Sequence, residues 1–203
     1  MIKIVTFESD ELLRHVQSGQ VIAFPTETVF GLGVRADSKA AFDRLVAVKR
    51  RPPAQPFTLM CGAVESIEKY AEVSAQARII ISAFMPGPLT VLLNPRPNLD
   101  PWITLDSPTI GIRVPGLPAL CRFIEKVGVP LLVPSANKSG EMPCRNIAEI
   151  ENSFKTEIAY AVDGRIKDAV PSTIVDLSGR DIKVIRHGAI TFDMINDALQ
   201  KGR

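Results

Sequence analysis

The sequence predicts an α/β protein built around one sheet. Short β-prone apolar runs alternate with segments whose apolar residues recur at helical spacing, the pattern of helices packed on a sheet. The 203 residues, 46% of them hydrophobic, suit a single domain spanning residues 1–203. A chain of this length buries roughly 70% of the surface its unfolded form exposes. No internal repeat, low-complexity tract or linker divides it.

Taken in order, the elements justify that reading. His15 falls in a polar N-terminal helix and is expected to be solvated. Val21-Ile22-Ala23-Phe24 reads as a buried strand ended by Pro25. Asp37 or Ser38 caps a helix carrying Ala41, Leu45 and Val48 on one face, stopped by Pro52-Pro53, so its last turn holds Lys49, Arg50 and Arg51. Phe57 to Cys61 is a strand; Ser74 caps a helix with Ala77, Ile80, Ile81 and Phe84 inward, ended by Pro86-Gly87-Pro88. Leu89 to Leu93 resumes strand character. Thr109 to Val114 alternates with period two, sending Thr109, Gly111 and Arg113 to one polar, basic face. Leu120, Ile124 and Val127 mark a helix, Leu131 to Val133 a strand, and Asn146 with Glu149 a helix cap. Ala159 to Val162 and Ser172 to Leu177 are strands, the latter joined through Ser178 to Asp181 to Ile182–Arg186 as a hairpin. Thr191 caps a final helix with Phe192, Ile195 and Leu199.

Composition excludes several classes. With 24 Lys and Arg against 22 Asp and Glu, no whole-molecule field points to a polyanionic partner. Cys61, Cys121 and Cys144 are odd in number and widely spaced, which disfavours a disulfide framework or a zinc knuckle, and no metal ligand set is expected. Acidic residues at Glu8 and Asp10 come too early for a signal peptide, and no apolar run reaches membrane-spanning length. The expectation is a cytoplasmic protein without a membrane partner.

Three segments concentrate chemistry at strand or helix ends, where ligands of α/β sheets bind. Pro25 to Gly33 offers hydroxyls and small residues, yet also reads as a plain strand-to-turn sequence. Lys49-Arg50-Arg51 at a rigid helix stop suits a phosphate chain, and equally suits ordinary charge complementing a helix C-terminus. Pro134-Ser135-Ala136-Asn137-Lys138-Ser139-Gly140 offers hydroxyl, amide and backbone donors after a buried strand, and equally reads as a turn. Arg113 on its alternating strand is as compatible with an exposed sheet face. A serine-hydrolase reading of Ser135 fails for want of a G-x-S-x-G elbow, and neither a Walker A loop nor a G-x-G-x-x-G fingerprint is present.

The joint order of these segments resembles the YrdC/TsaC (threonylcarbamoyl-AMP synthase) family from about Gly19 to Ile190. The matching landmarks are Phe24 to Gly33, Lys49-Arg50-Arg51-Pro52, Pro86 to Thr90, Thr109 to Pro115, Pro134 to Gly140, Ser172 to Asp176 and Arg186-His187-Gly188. The resemblance implies an open, twisted, mixed α/β sheet with flanking helices around a large concave basic cavity. It implies a nucleotidyltransferase that joins L-threonine, bicarbonate and ATP into threonylcarbamoyl-AMP and pyrophosphate. The product would pass to a downstream tRNA threonylcarbamoyl transferase complex.

Carried onto this chain, the resemblance makes Lys49 and Arg51 the catalytic cations. ATP contacts fall to Lys49, Arg51, Gln55, Thr109, Ser135, Asn137, Pro143 and Arg186. Threonine contacts fall to Thr28, Met60, Arg113, Val133 and Ser172. Mg2+ is expected through the ATP phosphates rather than a carboxylate cage. Phe30 stands where Tyr is usual, Gln55 where Asn is common, Met60 lacks a polar side chain, and His187 follows Arg186 where Pro is frequent. Direct tRNA or double-stranded RNA binding stays open, and the alternative is a YrdC-like paralogue acting as an RNA-binding or ribosome-assembly module.

Overall fold

The computed structural model of the chain describes residues 1–50, 56–166 and 170–202. Its strands are β1 (Lys3–Val5), β2 (Ile22–Phe24), β3 (Gly31–Arg35), β4 (Thr58–Met60), β5 (Leu89–Leu93), β6 (Ile110–Arg113), β7 (Leu131–Val133), β8 (Tyr160–Val162), β9 (Thr173–Asp176) and β10 (Lys183–Arg186). The helices are α1 (Asp10–Gln17), α2 (Lys39–Lys49), α3 (Ala75–Phe84), α4 (Pro101–Thr104), α5 (Pro118–Val127), α6 (Ile147–Phe154) and α7 (Phe192–Lys201), with a 3-10 turn at Val64–Lys69. The strands form one mixed sheet ordered β1-β8-β2-β3-β7-β4-β6-β5-β9-β10. β8 is parallel to β1 and β2, β4 to β6 and β5 to β9; the remaining neighbours are antiparallel.

Helix starts follow capping chemistry. The side chains of Ser9, Ser38, Ser74, Asn146 and Thr191 each accept a hydrogen bond from the backbone N–H three residues on. Each satisfies a donor that the helix itself leaves unpaired. At the end of α2, Arg50 turns left-handed at φ 51° and carries the C-cap. The expected stop at Pro52-Pro53 lies outside the described residues.

The alternation of side chains along each strand sorts the core into two layers. On β2, Ala23 joins a large apolar layer with Leu32, Leu45, Leu59, Val91, Ile112 and Val175. Ile22 and Phe24 face the other way, toward Leu12, Val16, Phe123, Ile124 and Leu131 beneath α1 and α5. Beyond β7 that second face becomes polar: Thr58, Thr90 and Arg113 project from it, while their neighbours Leu59, Leu89, Val91 and Ile112 stay in the apolar layer. The floor of a cavity is thus the reverse side of the same strands that carry the core.

Two sequence expectations are revised. Pro25 to Gly33 is more than a turn, because Gly31 opens strand β3. A Cβ at Gly31 would stand 2.7 Å from Val133 Cγ1 and one at Gly33 2.4 Å from Phe24 Cε1, so the bare glycines let the Phe24 ring and Val133 close over the strand. His15 is half-buried rather than solvated, with its ring 4.6 Å from that of Tyr160, and burial lowers its pKa. No helix among the described residues is long and apolar enough to cross a membrane.

Candidate active site

The first part of the site grows from the end of α2. Its inward stripe, Ala41, Phe42, Leu45 and Val48, continues into Lys49, which is only 4% exposed. The Lys49 ammonium donates to Ser135 O at 2.6 Å and to Asn137 Oδ1 at 2.6 Å. Asn137 is fixed in turn, donating through Nδ2 to the carbonyls of Lys138 and Glu141 at 2.8 Å each and accepting from Ser135 Oγ at 2.6 Å. The loop reaches back as Ser139 N–H donates to the Lys49 carbonyl at 3.1 Å, which helps satisfy the open helix end. A buried ammonium needs such oxygens, since desolvating an unsatisfied charge is prohibitive.

A surface clasp holds this junction. Lys138 pairs with Glu157, whose carboxylate also lies 3.8 Å from Arg50, and the Lys138 ammonium sits 4.7 Å over the Phe154 ring. Burial pushes the Glu157 carboxyl up, but the bonds from Lys138 and Thr156 outweigh it and hold the group below the usual carboxylate range.

The second part centres on Arg113 at the end of β6, 5% exposed. Its Nε donates to Gly87 O at 3.3 Å and its Nη1 to Thr28 Oγ1 at 3.0 Å, while Thr28 Oγ1 lies 2.9 Å from Thr26 Oγ1. Nη2 is 2.8 Å from Glu27 Oε1, an ion pair by distance, yet no acceptor lies along its N–H directions. The site therefore holds a buried guanidinium fixed by Gly87, Thr28 and Glu27, and a guanidinium fork of this kind suits a carboxylate. Nearby, Ser172 Oγ lies 2.8 Å from Thr90 Oγ1 and accepts from Arg186 Nη2 at 2.9 Å, and Arg186 Nε donates to Ser172 O at 3.0 Å. Desolvation, and then the like charge of Arg113, push the Arg186 pKa down.

Both parts open into one cavity of about 370 Å³. Of the residues named from sequence, Thr28, Lys49, Met60, Arg113, Val133, Ser135, Pro143, Ser172 and Arg186 line it. Asn137 stands behind Lys49 rather than in the wall. Thr109 precedes β6 and is not among the described lining residues, and Arg51 and Gln55 lie outside the described residues. Thr26 and Glu27 fall in the Pro25 to Gly33 segment and Thr90 in the Pro86 to Thr90 landmark, but sequence reasoning assigned none of them, nor Thr58, a role of its own. The hydroxyl-bearing side chains of Thr26, Thr58 and Thr90 furnish much of the polar wall, and Glu27 stands behind Arg113. The alternation of Thr58 with Leu59 and of Thr90 with Val91 was the available signal. Among the described residues no group of three or more His, Cys, Asp or Glu is placed to hold a metal ion.

Fold and cavity together define an α/β protein with a cation- and hydroxyl-lined pocket on the polar face of an open sheet. The Sua5/YciO/YrdC family model, described as "Telomere recombination", matches residues 14–188, and the chain belongs to this family. It is 34% identical over 180 residues to the threonylcarbamoyl-AMP synthase of Yersinia enterocolitica, covering 85% of this chain and 93% of that protein. It is 33% identical over 198 residues to a putative threonylcarbamoyl-AMP synthase of Methanocaldococcus jannaschii, covering 94% and 93%. Among solved structures, P. abyssi Sua5 complexed with L-threonine superposes with a TM-score of 0.89 at 29% identity, over 98% of this chain. The chain spans 60% of that protein's length.

Proposed function

We propose that this chain is an L-threonylcarbamoyladenylate synthase, a cytoplasmic nucleotidyltransferase using L-threonine, bicarbonate and ATP to supply a tRNA-modifying transferase. The observation that carries the reading is one cavity with two unlike cationic ends. One is an ammonium set among hydroxyl, amide and backbone oxygens; the other is a buried guanidinium held in place by Thr28 and Gly87. The similarity to proteins named threonylcarbamoyl-AMP synthase, and to a relative that binds L-threonine, supports it.

In this reading the Arg113 end takes the threonine carboxylate, and the linked hydroxyls of Thr28, Thr90 and Ser172 surround the amino acid. The threonine amine, its extra proton lost to solvent, condenses with bicarbonate to form a carbamate with release of water. A carbamate oxygen then bonds to the α-phosphorus of ATP as the bond to the bridging oxygen breaks, and pyrophosphate leaves with that oxygen. Lys49 offsets the charge gathering on the phosphate oxygens, a role the family resemblance also gives Arg51, while Ser135, Pro143 and Arg186 flank the nucleotide. Positioning and fixed charge are the main means by which a protein lowers such a barrier. Mg2+ would travel on the phosphates, since the described residues offer it no three-ligand cluster, and no step here depends on it.

The test is pyrophosphate release by the purified protein with each substrate omitted in turn. Release coupled to an AMP adduct is expected only when L-threonine and bicarbonate are both present. Equal release without threonine would overturn the assignment.

A further inference from the structure

A cavity that receives a phosphate chain and an amino-acid carboxylate must keep the two anions apart, and charge alone does not distinguish them. Lys49, Arg113 and Arg186 all line it. Phosphate groups carry more charge than a carboxylate, so an unscreened guanidinium would draw them first.

Glu27 stands where it changes that balance. It is not among the described residues lining the cavity; its carboxylate lies behind the guanidinium, with Oε1 2.8 Å from Arg113 Nη2. The same oxygen accepts from Gly116 N–H at 2.7 Å, which anchors it to the loop leaving β6. A Cβ at Gly116 would stand 3.2 Å from that oxygen and 3.3 Å from Gly87 Cα, so the seat is closely built. The Arg113 side chain is 6% exposed and that of Glu27 22%, so solvent screens the pair only in part.

We propose that Glu27 is a specificity-determining residue: by offsetting the charge of Arg113 from outside the cavity wall, it keeps the amino-acid end from accepting phosphate-type anions. The inference rests on the reading of Arg113 as the threonine carboxylate site. Zwitterionic threonine has no net charge and responds weakly to the loss of Glu27, whereas a phosphate dianion responds with its full double charge. Even at the dielectric of bulk water, about 80, and a separation of about 6 Å, neutralising Glu27 favours the dianion by about tenfold, and weaker screening raises that factor.

The experiment is calorimetric binding of L-threonine in rising inorganic phosphate, for the parent, Glu27→Gln, Glu27→Ala and Glu27→Asp, with folding checked by thermal melts. In the Gln and Ala variants the phosphate concentration that halves threonine binding should fall about tenfold, while threonine affinity without phosphate changes less than about threefold with Gln. The Asp variant, which keeps the charge, should behave as the parent. Unchanged phosphate competition in whichever neutral variant folds, or an Asp variant as phosphate-sensitive as Gln, overturns the proposal. Failure of threonine to bind the parent overturns instead the assignment of the cavity.

Discussion

Replacing Lys49 with Ala separates the structural role of its ammonium from the catalytic role proposed for it. The side chain bonds Ser135 O and Asn137 Oδ1 at 2.6 Å each, so truncation removes at least two charge-assisted hydrogen bonds. Hydrogen bonds to charged groups contribute about 1.5–3 kcal/mol each, but the ammonium's own desolvation is relieved as well. Asn137 also keeps its bonds to Ser135 Oγ, Lys138 O and Glu141 O. A net loss of about 2–4 kcal/mol in stability follows, visible as a lower urea midpoint. Turnover should fall further than stability explains, by about 10²-fold or more, because a preorganised charge at the phosphate chain is gone. Threonine-dependent pyrophosphate release, measured well below the melting temperature, reads the second role apart from the first. A variant that is destabilised yet turns over within about threefold of the parent would refute the catalytic role and leave Lys49 as a purely structural ammonium.

Arg113→Lys should raise the threonine KM by about 30-fold with a smaller change in the ATP KM, because one ammonium cannot satisfy Gly87 O, Thr28 Oγ1, Glu27 and a substrate carboxylate together; equal shifts in both constants would detach Arg113 from the amino acid. Burial pushes the Cys61 thiol from an ordinary 9.0 up to about 12, so iodoacetamide at pH 8 should label the half-buried Cys121 well before the buried Cys61 in the folded protein, as peptide mass spectrometry would read. The same shift makes Cys61's contribution to stability complete below about pH 9 and lost as pH rises through about 12, since the unfolded thiol ionises first. A Tm flat from pH 8 to 11 in the parent, falling no faster than in Cys61→Ala, would contradict it.

Much of this molecule was legible in its sequence because the signals were local. Ser38, Ser74, Asn146 and Thr191 announced helix starts through capping chemistry, and each caps as expected. Strands such as Leu89 to Leu93 stood out as apolar runs between breakers. β1 and α4 were not assigned, since Lys3–Val5 and Pro101–Thr104 are too short to establish a period. β3 was hidden because its glycines make room for Phe24 and Val133, neighbours that only the fold supplies. The site residues drawn from family resemblance fall together in one cavity for the most part. Glu27 and Thr90 fall inside landmark segments but carry no individual role there, because their partners lie 89 and 82 residues away along the chain.

The reversible strands have a consequence for how this protein tolerates mutation. On the proposed function, neighbouring positions on β4, β5 and β6 answer to different selective demands: Leu59, Val91 and Ile112 pack the core, whereas Thr58, Thr90 and Arg113 line the cavity. A saturation screen read separately for abundance and for turnover should show a two-residue ripple along these strands, with the two traces out of phase. The hydroxyl positions are then where stabilisation by sequence optimisation would mislead, since Thr90→Val suits a strand well yet strips a buried partner from Ser172. A slip of one residue in the pairing of β6 would turn Ile112 toward the cavity and Arg113 into the apolar layer, so accuracy of folding and competence for chemistry are here the same requirement.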